Sequence, residues 1–261
     1  MPYLLSFDGL SMAKKYLVNW YMLIPVYLNF MDTATVKFRN GKKIQVSRNE
    51  YTQFRDELFQ EYLKDHGFSF QDVGGNTLAI TNKNIKLFLM KDYTNVLDEI
   101  FIRKVYGVNY FIGKDVVDVG ASIGDTALYY ISNGASTVFG FEMDKERYKL
   151  CVKNIELNTL TSRIAILNES ADSNAVRKLI LEKDLHNIVL KLDCEECEFE
   201  IIKNLTHDVF ERIDYIIMEY HSDPDNIIKK LTETGFILRK EKKIFIPEGF
   251  IFAFKKGVEP Y

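Results

Sequence analysis

Residues 190–200 read LKLDCEECEFE: an apolar run ends in Asp193, Glu195, Glu196, Glu198 and Glu200, with Cys194 and Cys197 among them. Further on, IIMEYH ends a second apolar run in Glu219 and His221. Four uses suit so much charge at a strand end: a metal site, a redox pair, a substrate site, or the acidic first turn of a helix. A structural zinc site takes about four ligands, and the chain has no second C-x-x-C. Carboxylates converging beside a histidine suit removal of a hydroxyl proton. The same groups suit a divalent cation. The metal-free base is favoured, because one histidine and spaced acids do not spell a coordination sphere. Glu196 and Glu200 read as helix-start acids, which the helix dipole favours. The plain reading of His221 is a capped loop residue.

A second constellation lies upstream. VVDVGASIGDTALYY, residues 116–130, runs from a buried strand through a glycine loop into a helix beginning near Gly124. Small residues there let the backbone approach a ligand closely, and a helix N-terminus favours negative charge. A dinucleotide fold wants G-x-G-x-x-G; Gly120 and Gly124 are separated by Ala121, Ser122 and Ile123, so that pattern fails. Asp118, two residues before Gly120, strengthens the loop as a binding element. In TVFGFEMD, Glu142 ends the next strand, 22 residues past Gly120. An acid there can accept hydrogen bonds from two ribose hydroxyls. Asp144 already supplies a helix-start acid, which leaves Glu142 for a ligand.

The elements that must position these residues follow a rhythm from residue 115 onward. DVVDVG, TVFGFE, IAILN, NIVLKLD and DYIIMEY are short apolar runs separated by helical stretches, the last opening at Pro224. This is the pattern of a parallel sheet covered by helices. GFILRKEKKIF and GFIFAFKK then leave no room for a helix between them, which predicts a terminal antiparallel hairpin. Residues 1–92 read as an accessory α+β region of helices and hairpins, and 93–261 as the cofactor-binding domain. Within the accessory region, Asn40-Gly41 predicts a hairpin, and Ser47 with Glu50 predicts a capping box before a helix. TLAIT and IKLFLM predict a strand pair, and NVLDEIFIRKVYG has helical spacing up to Gly107.

DVGASIGDT, FGFEMD, KNIELN, LKLDCEECEFEIIKN and IIMEYH, in this order, resemble the FkbM-type S-adenosylmethionine-dependent methyltransferases. The likeness spans about residues 95–255. It implies an α/β, class I methyltransferase Rossmann-like sheet, mostly parallel with a C-terminal antiparallel hairpin. It also implies S-adenosylmethionine as cofactor. Gly120, Ala121, Ser122 and Gly124 would line its methionine part, with Asp118, Asp125 and Thr126 beside them. Glu142 would hold the ribose, next to Met143, and Ser170 and Ala171 would lie near the adenine. Glu99 and Tyr106 match an upstream element that approaches the site. Asp193, Glu195, Glu219 and His221 would form the catalytic, acceptor end. Glu196 stands where the family's D-x-E-G-A-E has glycine. Both cysteines stand where it has small or apolar residues, so they read as packing residues.

The implied activity is O-methylation of a small-molecule or sugar-containing acceptor. An RNA or protein methyltransferase of the same fold and a non-catalytic cofactor-binding module are the alternatives. With 34 basic and 37 acidic residues and a net charge of −3, composition argues against a nucleic-acid partner. Three cysteines in 261 residues make no disulfide framework. All three thiols are expected to be free and, with no signal-peptide pattern, the protein cytoplasmic. YLVNWYMLIPVYLNFM, residues 16–31, falls short of the roughly 20 residues of a membrane span. It reads as packed helices, with weak membrane docking as the minor alternative.

Overall fold

The computed structural model describes residues 7–47, 51–90, 94–242 and 248–258. It divides into two compact units, residues 1–82 with 89–98, and residues 83–88 with 99–261.

The first unit holds α1 (Phe7–Tyr16), α2 (Leu23–Tyr27), β1 (Thr33–Lys37), β2 (Lys43–Ser47), α3 (Tyr51–Asp65), β3 (Ser69–Val73) and β4 (Asn76–Ile80). β1 and β2 pair antiparallel around Asn40-Gly41. Their inward residues Val36 and Val46 join Leu17, Phe38, Phe54 and Leu58 in a small core. β3 pairs with β4 across Gly74-Gly75, a hairpin the sequence reading did not foresee. Glu50 of the expected capping box lies outside the described residues. No described helix is long and apolar enough to cross a membrane. Residues 16–31 form the end of α1, a 3₁₀ turn (Trp20–Met22) and α2.

The second unit carries β5 (Lys86–Phe88), and the chain then forms α4 (Asn95–Leu97) in the first unit. The helix expected through residues 95–107 is replaced by α4, one π-helical turn (Asp98–Ile102) and an exit at left-handed Lys104 (φ 54°). β6 (Val116–Val119), α5 (Asp125–Ser132), β7 (Val138–Phe141), α6 (Lys145–Leu157), β8 (Ile164–Leu167), α7 (Ser173–Glu182) and β9 (Ile188–Leu192) follow. Then come α8 (Cys197–Asn204), α9 (His207–Phe210), β10 (Ile213–Tyr220), α10 (Asp225–Glu233), β11 (Phe236–Lys242) and β12 (Gly249–Lys255). The seven strands β6–β12 form one sheet in the order β8-β7-β6-β9-β10-β12-β11. β6 to β10 are parallel, while β12 runs antiparallel to both β10 and β11.

This is the expected α/β sheet, mostly parallel, with a terminal antiparallel hairpin. β6, β9 and β10 are buried along their whole length. That is why they are near-continuous apolar runs rather than alternating ones. The order reverses at β6: the chain goes outward to β7 and β8, then returns to β9 on the other side. Ligands in open α/β sheets bind at such a switch point, beyond the carboxyl ends of the strands.

Candidate active site

The glycine loop leaves β6 at Val119. The Gly120 and Ala121 amides both donate to the Phe141 carbonyl at 3.0 and 2.9 Å, tying the loop to the end of β7. Gly120 has φ 80°, and a Cβ placed on it would lie 1.8 Å from the Asp193 carbonyl oxygen. The loops after β6 and β9 therefore touch backbone to backbone, and only glycine fits between them. Ser122 is left-handed (φ 48°), and so is Gly124, which caps α5. Buried Asn154 fastens the loop from behind, its amide donating to the Ile123 carbonyl at 2.9 Å.

Glu142 is buried and doubly engaged. Its Oε2 accepts from the Ser122 amide at 2.8 Å and its Oε1 from the Asp144 amide at 2.7 Å. The carboxylate thus joins the glycine loop to the end of β7, and each oxygen retains a lone pair for a hydroxyl. Asp144 caps α6, accepting from the Glu146 and Arg147 amides, as expected of a helix-start acid. Met143 is exposed beside it. Exposed Ser170 and half-buried Ala171 lie in the turn after β8. Asn168 in that turn, not singled out from the sequence, donates to the Glu142 carbonyl at 2.8 Å and ties the ends of β7 and β8 together.

Asp118 and Thr126 are turned into the core under the loop, where the Thr126 hydroxyl donates to Asp118. Asp118 also pairs at 2.9 Å with Lys191, a residue that reads from sequence as part of an apolar run. Lys191 is fully buried; its ammonium donates to the Gly120 carbonyl at 2.8 Å and stands 3.9 Å from Asp193. Burial opposes its charge, and Asp118 and Asp193 overcome that, holding its pKa above the ordinary lysine value. The signal was available: a lysine inside an apolar strand needs a buried partner. Asp125, the first residue of α5, is pushed up to about 7, chiefly by burial. Its Oδ1 has no hydrogen-bond partner among the described residues.

The acceptor side gathers at the ends of β9 and β10. The Tyr106 hydroxyl lies 2.7 Å from Asp193 Oδ2 and 2.9 Å from Glu219 Oε2, offering one proton to two carboxylates. Burial first, and then those two carboxylates, push the phenol's pKa well above its usual value. His221 follows β10, and one potential ligand atom from each of Asp193, Glu219 and His221 lies within 4.8 Å of the others. Glu195 is exposed and reaches this cluster at its rim, its Oε2 3.9 Å from His221 Nε2. Glu99, half-buried in the π-helical turn, pairs with Arg103 at 3.1 Å.

The remaining acids separate. Glu196 is exposed at the N-cap of α8, and Glu200 is exposed on that helix, 3.4 Å from Lys203. Glu198 is fully buried instead, its Oε1 accepting from the Cys194 amide at 2.6 Å. The expectation of three free thiols is corrected. Cys194 and Cys197 form a disulfide with a Cα–Cα distance of 5.5 Å, and only Cys151 is a free thiol. The cause is local. Successive left-handed residues, Glu195 (φ 57°) and Glu196 (φ 86°), fold the chain back. That brings the two cysteines within disulfide range.

No family model matches the chain, and no curated protein matches it. Solved structures do. A ribosomal protein L11 methylase from Lactobacillus delbrueckii subsp. bulgaricus is 19% identical over 55% of this chain and 70% of its own, with a TM-score of 0.41. TrmK of M. capricolum, solved with S-adenosyl-homocysteine, is 14% identical over 60% of this chain and 70% of its own, TM-score 0.46. Magnesium protoporphyrin IX methyltransferase (ChlM) from Synechocystis PCC 6803, with bound SAM, is 13% identical over 56% and 72%, TM-score 0.39. At these scores the likeness carries nothing about activity; the fold rests on the strand order itself.

Proposed function

We propose that this chain is an S-adenosylmethionine-dependent methyltransferase that methylates an oxygen of a small-molecule or sugar-containing acceptor. One observation carries the reading. Four neighbouring strand ends, β7, β6, β9 and β10, present in that order a carboxylate with spare lone pairs, a glycine loop, and an acid–histidine cluster. The first two form a cofactor end and the third an acceptor end on one sheet edge.

The residues fit the cofactor. The close approach at Gly120 and the turn at Ser122 and Gly124 keep side chains out of the loop. Gly120, Ala121, Ser122 and Gly124 would hold the methionine part, Glu142 the ribose, and Met143, Ser170 and Ala171 the adenine. Asp118, Asp125 and Thr126 support the loop from beneath. When bound, S-adenosylmethionine supplies an electrophilic methyl group on a positively charged sulfur. Asp193, Glu219 and His221, with Glu195 at the rim, hold the acceptor hydroxyl in line and take up its proton. Tyr106 fixes Asp193 against Glu219.

Calorimetry tests the cofactor: S-adenosylhomocysteine should bind and NAD should not. Incubation of a metabolite extract with methyl-labelled S-adenosylmethionine tests the reaction. Label in small oxygen-containing products supports it, and label confined to RNA or protein overturns the acceptor class. Binding without any labelled product favours the non-catalytic module.

A further inference from the structure

The acceptor cluster gathers two carboxylates and an imidazole in one small space. Asp193 and Glu219 share the single proton of Tyr106. Lys191 lies 3.9 Å from Asp193 but 2.9 Å from Asp118, to which it is committed. His221 faces the same space with an Nε2 that is shut off from solvent and makes no hydrogen bond to a described residue. A separate observation comes from α8. Glu198 has no exposed surface, and its Oε2 also lacks a hydrogen-bond partner. Its Oε1 accepts from the Cys194 amide, one residue past Asp193, which places Glu198 beside the loop that carries the cluster. Two side chains at this space, His221 and Glu198, thus each hold a buried atom with no hydrogen-bond partner among the described residues.

We infer that Asp193, Glu219 and His221 bind one divalent cation, with buried Glu198 adding its charge from behind, and that this cation holds the acceptor. Three ligand atoms within 4.8 Å of one another can meet one ion after small side-chain movements. Two carboxylates with one imidazole suit manganese or a similar divalent ion between the oxygen-preferring and nitrogen-preferring metals. Three protein ligands leave about three positions of an octahedral shell open. A hydroxyl with a second oxygen beside it, as in a vicinal diol or a hydroxy acid, would occupy two of them. Metal coordination lowers the pKa of a bound hydroxyl. The O–H bond breaks with its proton passing to water, and the oxygen's electron pair forms the new bond to the methyl carbon as the sulfur–carbon bond breaks. The sulfur leaves as a neutral thioether. The ion's role rests on the methyl-transfer reading; its binding does not.

The test uses the full-length protein freed of metal, titrated with Mn²⁺ and followed by the loss of the free-ion electron paramagnetic resonance signal. One saturable site per chain with a Kd below about 1 mM is expected. His221→Ala and Asp193→Asn should each weaken it by roughly 10–100-fold. Exposed Glu196→Gly, in the same loop, should leave it unchanged. If Asp193→Asn melts early, His221→Ala decides alone, because His221 Nε2 makes no hydrogen bond to a described residue. Absence of a saturable site overturns the inference. So does equal weakening by Glu196→Gly, which would mark diffuse attraction to acids. S-adenosylhomocysteine calorimetry on the same samples keeps the two readings apart. Mn²⁺ bound without the homocysteine product sinks the methyltransferase reading and leaves the ion site standing; the reverse sinks only the ion site.

Discussion

The loops after β6 and β9 solve one geometric problem with different residues. Each takes the chain from a buried strand into an eight-residue helix, α5 or α8, through left-handed residues: Gly120, Ser122 and Gly124 in the first loop, Glu195 and Glu196 in the second. The N-cap of α5 is Gly124 at φ 85°, ψ 10°; the N-cap of α8 is Glu196 at φ 86°, ψ −6°. Each helix has a buried acid in its first turn, Asp125 or Glu198, with one oxygen that has no hydrogen-bond partner among the described residues. The first loop uses glycine, which carries no steric cost, at two of its left-handed positions and Ser122 at the third. The second uses Glu195 and Glu196, and a disulfide and the Glu198–Cys194 hydrogen bond hold it. Backbone freedom suits a loop that must lie close to a ligand. Side chains in the same conformation suit a loop that must carry charge to one.

The largest effect should come from removing the freedom where the two loops meet. Gly120→Ala places a methyl 1.8 Å from the Asp193 carbonyl at a left-handed position. Overpacking and left-handed strain together should cost about 3–5 kcal/mol. A thermal melt should fall by roughly 10 °C. Gly124→Ala meets only the Cys151 sulfur, at 3.0 Å, and should cost less. Equal melts for the two variants would mean that the loops are not in contact as described.

The strands, the glycine loop and the terminal hairpin were legible because each is local: apolar runs and turn residues announce themselves over a few positions. What was illegible depends on strand order and helix phase. Lys191 looks like one polar residue in an apolar run until β9 lies beside β6, where it meets Asp118. Of Glu196, Glu198 and Glu200, the one that α8 buries is fixed by where the helix starts, and that start depends on left-handed Glu196. The disulfide depends on the same backbone turn. Glu142 was read as a ligand for ribose, but its backbone bonds to Ser122 and Asp144 lie in loop geometry that spacing does not reveal.

Asp125 separates the loops by pH. Its pKa rises from 3.8 to about 7, chiefly because burial disfavours its charge. A carboxyl raised in the folded state contributes stability that is complete below pH 3.8 and is lost as pH rises through about 7. The loss can reach about 4 kcal/mol. Asp125→Asn cannot ionise, so its melting temperature should gain on the wild type between pH 5 and pH 8. A gap that stays constant across that range rules out the shift.

The two ends should also differ in what they bind. Glu142→Ala removes the acceptor for two backbone amides and for the proposed ribose contact, and should weaken S-adenosylhomocysteine binding by roughly 10–100-fold, from about 1.5–3 kcal/mol. His221→Ala should leave that binding nearly unchanged and reduce turnover by roughly 10²–10⁴. Calorimetry on both variants sharpens the division between cofactor end and acceptor end. A cofactor affinity that falls as far in His221→Ala as in Glu142→Ala erases it.

The smallest effect asks whether the second loop is strained at all. A left-handed residue with a side chain costs about 1–2 kcal/mol, and glycine's greater freedom in the unfolded chain returns roughly 0.5–1 of that. Glu196 also loses a charge near a helix N-terminus when replaced, which costs about 0.3–1 kcal/mol. Glu196→Gly alone is therefore close to balanced and says little by itself. Glu196→Ala loses the same charge yet keeps the Cβ, so comparing the two variants cancels the electrostatic part. Glycine should exceed alanine in stability by about 1 kcal/mol by urea unfolding, with equal m-values. Glycine also ranks above alanine at an ordinary N-cap, and the left-handed φ adds to that gap. If alanine equals or exceeds glycine, Glu196 does not occupy the conformation of Gly124, and the correspondence between the two loops fails at its most exposed point.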